Sequence, residues 1–587
     1  MAVSENKLAK LNGWWAKIIR KKSIASDNTG NRPFTRIAGK HESVGLATVL
    51  SVAFIFRVTS FWRYPFCDEY YFLANIQNFF ANKTILVRQF LYPTLFSYFA
   101  ALGMGIGSII YWMIGLIPTP HGISYLGIRN PELMLVPGRC VSLGFGFLTI
   151  IVIFKMGKRL YGEKAGFAAA FLLSVSPTHI WSSGFCVADV CAAFFATLVV
   201  WFSLQISERG RFRDYFLGGC AVGLSFSTKY NAVIIAAAVL TAHFCFLKRE
   251  RLLIDPMRWI NGNLIASGLA ILISFLMTSP GWIIQFHEFV EGFSYQMQVV
   301  SQGHMAIGRF GGKFQMAKLY WIGEGTISLL AAFASLWAVG KHRLSDLVIA
   351  GAVIPAVLVI GRWYNNMSLH YLLFIFPVVS IWIGRFLSEI SERIASRQQN
   401  IVYWVLLLIG IIQPFWADIQ RAYAERLEDN RWIAQEWIHQ NIPAGEKIAL
   451  DWLYTPRIST RKEQEEASRK HPEWDGVFDG IPAYEQVSLD KNIGWLFHTD
   501  ATLLVTSNWD YDRFFLGSPP PEGNPMRKKY FEYRSFYEVL RKGNTGRFRW
   551  KLIKSFNQGK GPIIEIYRND RFLEAVGNPS YCQIGRD

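Results

Sequence analysis

Two groups of carboxylates stand at the edges of apolar runs. Asp68 and Glu69 are adjacent in "RYPFCDEYYFLANIQNFF", just after the run 44 to 62, and Asp189 opens the run 186 to 206 within "SPTHIWSSGFCVADVCAAF". A carboxylate at the edge of hydrocarbon is costly unless it is hydrated, paired or liganded. Simpler readings stand beside that one: Asp68 and Glu69 as an interfacial helix start stabilised by its dipole, Asp189 as the first turn of a capped helix. Four cations are candidates for the same side: Lys229 in "FSTKYNA", Arg88 in "LVRQFLYP", Arg309 in "GHMAIGRFGGK" and Arg362 in "IGRWYNN". Snorkelling toward headgroup phosphates accounts for a lone basic residue as well as ligand binding does. Carboxylates and cations together at a lipid edge suit one task, the transfer of a group from a phosphate carried on a lipid. A carboxylate takes the proton of the acceptor hydroxyl, cations stabilise the departing phosphate, and apolar helices guide the lipid tail. Tyr70, Tyr92 and neighbouring aromatics would then wall a sugar site. His304 and His370 read first as structural imidazoles.

The elements that must position these residues follow from composition. The 587 residues are 51% hydrophobic and 15% aromatic, which exceeds what a soluble core needs and points to a polytopic membrane protein. The net charge of +18 comes from Lys and Arg in short clusters between apolar runs, a pattern of loops beside anionic lipid and not of a nucleic-acid surface. Residues 1–43 carry nine Lys or Arg against three acids and read as a cytoplasmic tail before an uncleaved anchor. Spans are expected near 44 to 62, 137 to 154, 165 to 181, 186 to 206, 215 to 228, 231 to 247, 260 to 279, 319 to 340, 345 to 361, 369 to 387 and 401 to 417. The run 93 to 117 could add a twelfth. Counted as a crossing, it puts every later basic loop on the wrong side; as a re-entrant hairpin relaxed by Gly103, Gly105 and Gly107, it lets all of them fall inside. The loops "KRLYGEK", "SERGRFRD", "LKRER", "GKHR" and "RIASRQ" are then cytoplasmic, and the outer loops, 63–92 first among them, hold the polar residues named above.

The membrane part is expected over 44–417, and from residue 418 the composition turns polar, as in an α/β domain over 418–587 lying outside. "KIALDW", "ATLLVTS", "FRWKLIKSF" and "PIIEIYR" read as strands, and "NRWIAQEWIHQNIP" and "KKYFEYRSFYEVLRK" as helices. No nucleotide-binding loop is present. Five of the seven Cys lie in or beside apolar runs without metal-ligand spacing, so neither a disulfide framework nor a zinc cage is indicated. A transporter or lipid-linked sugar flippase is the rival class. It predicts similar halves with broken helices at matching positions, and no such symmetry is visible.

At these residues the chain resembles the GT-C superfamily of integral-membrane glycosyltransferases, which includes protein O-mannosyltransferases and the lipid A aminoarabinose transferase. The likeness rests on "DEYYFLANIQ", "YPTLFSYF", "GRCVSLGFGFLTIIVIFKMGKRLYGEKAGFAAAFLLSVSP", "FCVADVCAAFF", "GGCAVGLSFSTKYNA" and "HYLLFIFP", in that order. It implies a mainly α GT-C-like membrane domain and a mannose- or arabinose-type sugar passed with inversion from a polyprenyl-phosphate donor. The acceptor would be a hydroxyl on protein, lipid or polysaccharide, in a prokaryotic plasma membrane, with the site and the C-terminal domain extracytoplasmic. It further implies Asp68 as the base, Glu69 as a second acid and Asp189 as a second essential carboxylate. Lys229 and Arg309 would bind phosphate. The aminoarabinose transferases carry Glu-Lys-Pro-Pro-Leu where this chain has "RQFLYPTL", which leaves Arg88 as the substitute cation and a divalent cation an open question. His370 stands where relatives often have Arg.

Overall fold

The computed structural model describes residues 40–59, 61–302, 315–341, 343–363, 368–394, 398–451, 454–474, 476–517, 519–542 and 550–570. The N-terminal tail before Lys40 and the segment carrying His304 and Arg309 lie outside the described residues. The chain is mainly α and polytopic. Among the described residues seven helices are long and apolar enough to cross a bilayer: Leu95–Met113, Pro131–Tyr161, Asp189–Arg209, Tyr230–Arg249, Pro256–Thr278, Leu369–Glu392 and Gln399–Ala424. Three shorter apolar helices, Val44–Val58, Thr326–Lys341 and Leu344–Ile360, accompany them. On Pro256–Thr278 the apolar Leu269, Leu272, Ile273 and Met277 are exposed, a surface that only lipid would cover favourably.

The basic loops meet at one end of the helices. Arg159 pairs with Glu208 at 2.5 Å, and Arg249 donates to the Glu208 carbonyl at 2.7 Å. Asn263 donates to the Gly210 carbonyl at 3.1 Å. Tyr161 donates to Asp346 at 2.6 Å, Arg385 also pairs with Asp346, and Lys164 bonds Asn400 at 2.7 Å. Charge pattern alone had grouped these loops on one face, and the packing gathers them there.

Three expected membrane segments differ in the structure. The run 93 to 117 is no hairpin: Leu95–Met113 is one unbroken helix. Its glycines serve close packing instead of a bend, since a Cβ on Gly107 would overlap the Pro137 ring and one on Gly103 would press on Val141. The helix runs antiparallel to the first half of Pro131–Tyr161, from Phe99 against Phe145 to the Tyr111 hydroxyl on the Leu133 carbonyl. At its start Thr94 bonds Thr278 and Ser279, at the end of Gly262–Thr278 opposite Asn263. Both of its ends therefore lie away from the basic loops. The run 165 to 181 is broken into Glu163–Ser174 and Pro177–Ser183, because Ser176 caps the second piece and Pro177 cannot continue the first. The run 319 to 340 breaks at Gly325, whose φ of 57° is left-handed, into Gln315–Glu324 and Thr326–Lys341.

Beyond the last long helix lies a sheet of six strands: β1 Lys447–Leu450, β2 Ser459–Thr460, β3 Ala483–Val487, β4 Leu503–Ser507, β5 Trp550–Phe556 and β6 Ile564–Asn569. The order is β2-β3-β1-β4-β6-β5. The first four in that order are parallel, and β6 then β5 add antiparallel to the edge. Buried Ile448, Leu503, Val505, Ile564 and Ile566 pack against Ile438 and Ala434 of Asn430–Asn441. On another side Leu504, Tyr511, Phe514 and Tyr567 pack with Phe536, Tyr537 and Leu540 of Met526–Lys542. β2 and β3 escaped the sequence reading because "ST" and "AYEQV" are short and half polar.

This domain docks on the membrane part through polar bonds. Trp432 donates its indole N–H to Glu132 at 2.6 Å, Arg129 donates to the Gly476 carbonyl at 2.6 Å, and Arg63 pairs with Glu425 at 2.6 Å. Arg431, pinned by Asp429, lies 3.8 Å over the Tyr64 ring. The close contact of Leu95–Met113 with Pro137 predicts that Gly107→Ala lowers stability by about 1–3 kcal/mol, the cost of overpacking. Gly268→Ala, at a helical position with open space around it, should raise stability or leave it unchanged. Thermal unfolding of both variants in detergent checks this.

Candidate active site

The helix expected in the first outer loop, Cys67–Ala81, sends its side chains in three directions. Glu69, Phe72, Leu73 and Ile76 recur at helical spacing and are buried in the core. Asp68, Tyr71 and Asn75 hold the loop that follows. Tyr71 donates to the Gln89 carbonyl, Asn75 accepts from the Arg88 backbone N–H at 2.9 Å, and Asp68 Oδ2 accepts from the Tyr92 hydroxyl at 3.0 Å. Tyr70 and Gln77, one heptad apart, face the C-terminal domain.

Glu69, expected as an assisting acid, is fully buried. Both oxygens are saturated: Arg139 Nε donates to Oε1 at 2.8 Å and Nη2 to Oε2 at 2.7 Å, a bidentate pair. The Cys186 backbone N–H donates to Oε1 at 2.7 Å, and the Phe66 N–H to Oε2 at 2.9 Å, the latter a helix cap. Arg139 also donates to the carbonyls of Phe61 and Arg63. A carboxylate so occupied holds four segments together.

Asp189 begins its helix three residues after Cys186. Its Oδ1 lies 2.5 Å from Nζ of Lys229, and both side chains are buried. Lys229 sits in extended backbone between Phe212–Thr228 and the 3-10 turn Tyr230–Ile235, which aims its stem inward. One of its three N–H donors is committed to Asp189, and the ammonium also lies 5.4 Å from the Tyr371 ring. Asn231 bonds the Tyr371 carbonyl at 2.8 Å, tying that 3-10 turn to Leu369–Ile375. His370 stacks on Trp181, lies tilted against Tyr371, bonds Ser368 at 2.7 Å, and stands within electrostatic reach of Asp189 and Lys229.

The structure thus brings together Asp68, Tyr92, Asp189, Lys229 and His370. Burial raises the Asp68 carboxyl above the usual carboxylate range and the Asp189 charge adds to this, against the opposing pull of Lys229 and the bond from Tyr92. The Tyr92 hydroxyl is held neutral, pushed far up by burial and by the charge of Asp68. Arg88 is exposed and contributes only its backbone N–H to the contacts described here. Arg309 lies outside the described residues. Tyr70 faces a different cavity from Asp68. The donor set does not fit a divalent cation: Lys229 occupies Asp189, Arg139 occupies Glu69, and among the described residues no three His, Cys, Asp or Glu are grouped as ligands.

Three contributors went unnoticed in the sequence. Arg139 is the lone cation in the apolar stretch "LVPGRCVSLGFGF", which was itself a signal. Tyr371 follows His370 directly. Tyr454, from the loop after β1, bonds the Cys67 side chain beside Asp68, a contact across nearly 400 residues that no local pattern reveals. An apolar wall continues from Lys229 through Tyr230, Phe289 and Phe293, whose rings lie 5.3–6.2 Å apart.

Breaking the buried pair leaves an uncompensated charge, so Glu69→Gln should cost about 3–5 kcal/mol of stability. The double change Glu69→Met with Arg139→Leu should cost less than the sum of the two single changes. Thermal unfolding of the four proteins in detergent reads the coupling.

Comparison with known proteins yields consistent likenesses. Residues 134–283 match the family model described as dolichyl-phosphate-mannose-protein mannosyltransferase, a stretch that includes Arg139, Asp189 and Lys229. The chain is 25% identical over 248 residues to dolichyl-phosphooligosaccharide-protein glycotransferase 2 of Pyrococcus furiosus, covering 39% of this chain and 31% of that protein. The chain thus spans about a third of the length of the curated relative it matches. Among solved structures, ArnT of Cupriavidus metallidurans bound to undecaprenyl phosphate superposes with a TM-score of 0.53 at 14% identity, covering 90% of this chain and 98% of that one. The Archaeoglobus fulgidus oligosaccharyltransferase in its apo form superposes with a TM-score of 0.52 at 11% identity, covering 88% and 80%. At these identities the likeness shows the fold.

Proposed function

From a membrane chain with the GT-C fold, we propose a glycosyltransferase that moves one sugar from a polyprenyl-phosphate donor to an acceptor hydroxyl at the extracytoplasmic face. One observation carries this reading. Asp68 and Asp189 lie 121 residues apart in sequence, on different helices, yet they share one electrostatic environment with Lys229 at the end of the helices away from the basic loops. The solved ArnT relative is bound to undecaprenyl phosphate, and the Pyrococcus relative is named for a dolichyl-linked donor, which supports a lipid-phosphate donor here.

Asp68 is the base. It takes the proton of the acceptor hydroxyl while the acceptor oxygen bonds to the anomeric carbon. The bond from that carbon to the phosphate oxygen breaks on the opposite face, so the configuration inverts and the electron pair leaves with the lipid phosphate. Lys229, with His370 beside it, meets the phosphate. Asp189 holds the ammonium at that position, and the aromatic wall of Tyr230, Phe289 and Phe293 takes the first part of the lipid. The carboxylate that serves as base must be ionised, and Tyr92 favours that form by donating to it.

Asp68→Asn should abolish sugar transfer while leaving the unfolding temperature unchanged; transfer at the native rate would remove Asp68 as base. Lys229→Met should raise the KM for donor more than that for acceptor. The raised Asp68 carboxyl is protonated, and the base lost, at a higher pH than an ordinary carboxylate. The acid limb of kcat/KM should therefore lie above about pH 4. Tyr92→Phe removes a bond that lowers the Asp68 pKa and should move that limb further up, as a pH-rate profile would read.

A further inference from the structure

A second cavity, of about 550 Å³, lies on the other side of Cys67–Ala81, between that helix and the C-terminal domain. Volumes of this order take ligands well beyond a single small molecule fragment. Its walls carry five aromatic rings, Tyr64, Tyr70, Trp432, Trp474 and Phe478. Three buried polar atoms on the same walls have no partner among the described residues: Gln435 Oε1, His439 Nε2 and the Trp474 indole N–H. Trp474 is only 6% exposed, so its unpaired donor is costly unless a ligand or water meets it. Burial lowers the His439 pKa, so the imidazole is neutral at physiological pH. The charges at the rim nearly cancel, with Arg129 and Arg457 against Glu428, Glu436 and Glu463. Aromatic faces, a side-chain amide acceptor, an indole donor and no net field describe a site for a neutral polyol. An anionic ligand would meet the three carboxylates. A peptide strand would need a sheet edge, and the edge strand at this cavity, β2, has two residues.

We infer that this cavity binds a neutral oligosaccharide segment of the acceptor, holding a growing glycan while its end reaches Asp68 around Cys67–Ala81. The purpose assigned to the cavity rests on the transferase reading, but binding is measured without turnover. The probes are neutral tetrasaccharides derived from mannan, glucan and arabinan, added to the purified full chain in nanodiscs and followed by tryptophan fluorescence and saturation-transfer NMR. At least one should bind at millimolar concentration or below. Trp474→Phe, which keeps the ring and loses the donor, and Gln435→Leu should each weaken binding about tenfold, as should Tyr70→Ala at an exposed position. Asp68→Asn should bind unchanged. Failure of every neutral tetrasaccharide to bind overturns the inference. So does equal, variant-sensitive binding of an acidic oligogalacturonate or of an uncharged decapeptide. Glycan binding in a chain without transferase activity would leave this site standing and sink only the proposed reaction. Transfer to a short acceptor without binding here would do the reverse.

Discussion

The buried pair of Glu69 and Arg139 is the constraint on which the outer face depends. Moving two charges out of water costs several kcal/mol for each, and the pair is tolerable because both Glu69 oxygens and four Arg139 N–H groups are hydrogen-bonded. Arg139 takes the carbonyls of Phe61 and Arg63 in the turn after the helix ending at Val58, while Glu69 takes the N–H that starts Cys67–Ala81 and that of Cys186 before Asp189. One ion pair therefore sets the rotation of Cys67–Ala81 about its axis and the approach of the segment that delivers Asp189. With Glu69 pointing inward, helical geometry leaves Asp68 no choice but a neighbouring face, toward Tyr92 and Lys229.

Two like charges share the resulting site, and Lys229 makes this possible. Asp189 spends its charge on the ammonium at 2.5 Å, whereas Asp68 has a phenol, the neighbouring Cys67 thiol at 3.8 Å and a more distant cation. The two carboxylates are thereby driven apart in character, one a counter-ion paired with Lys229 and the other raised above the usual carboxylate range. The aromatic lining lowers the local polarity and strengthens each of these interactions, since neither Lys229 nor Asp189 is open to bulk water.

The C-terminal domain completes this arrangement from above. Its parallel strands β1 and β4 end toward the membrane part, and the loop after β1 supplies Tyr454 to Cys67. Its first helix supplies Trp432 and Arg431 to Glu132 and Tyr64. Burial pushes the Cys67 thiol up to about 12, so the residue beside Asp68 is an inert hydrophobe and not a nucleophile. The same docking leaves the cavity on the Tyr70 side, lined by three unpaired polar atoms where a purely structural joint would have been sealed.

Much of this was legible in the chain. Apolar runs gave the membrane class, and the basic loops read as one group do meet at one end of the helices, because hydrocarbon thickness and leaflet charge act on local composition. Asp68, Asp189 and Lys229 stood out because polar groups at a lipid edge are costly wherever they occur. Four of the six strands were visible in their apolar patterning; β2 and β3 were not, being short and half polar. The continuity of Leu95–Met113 was hidden because glycines that relax a backbone and glycines that admit a neighbouring proline look alike in one dimension. The different fates of Asp68, Glu69 and Tyr70 were hidden for a related reason. Adjacent residues on a helix diverge by about 100°, and only the partner packed on each side decides which is neutralised, which is poised and which faces another cavity.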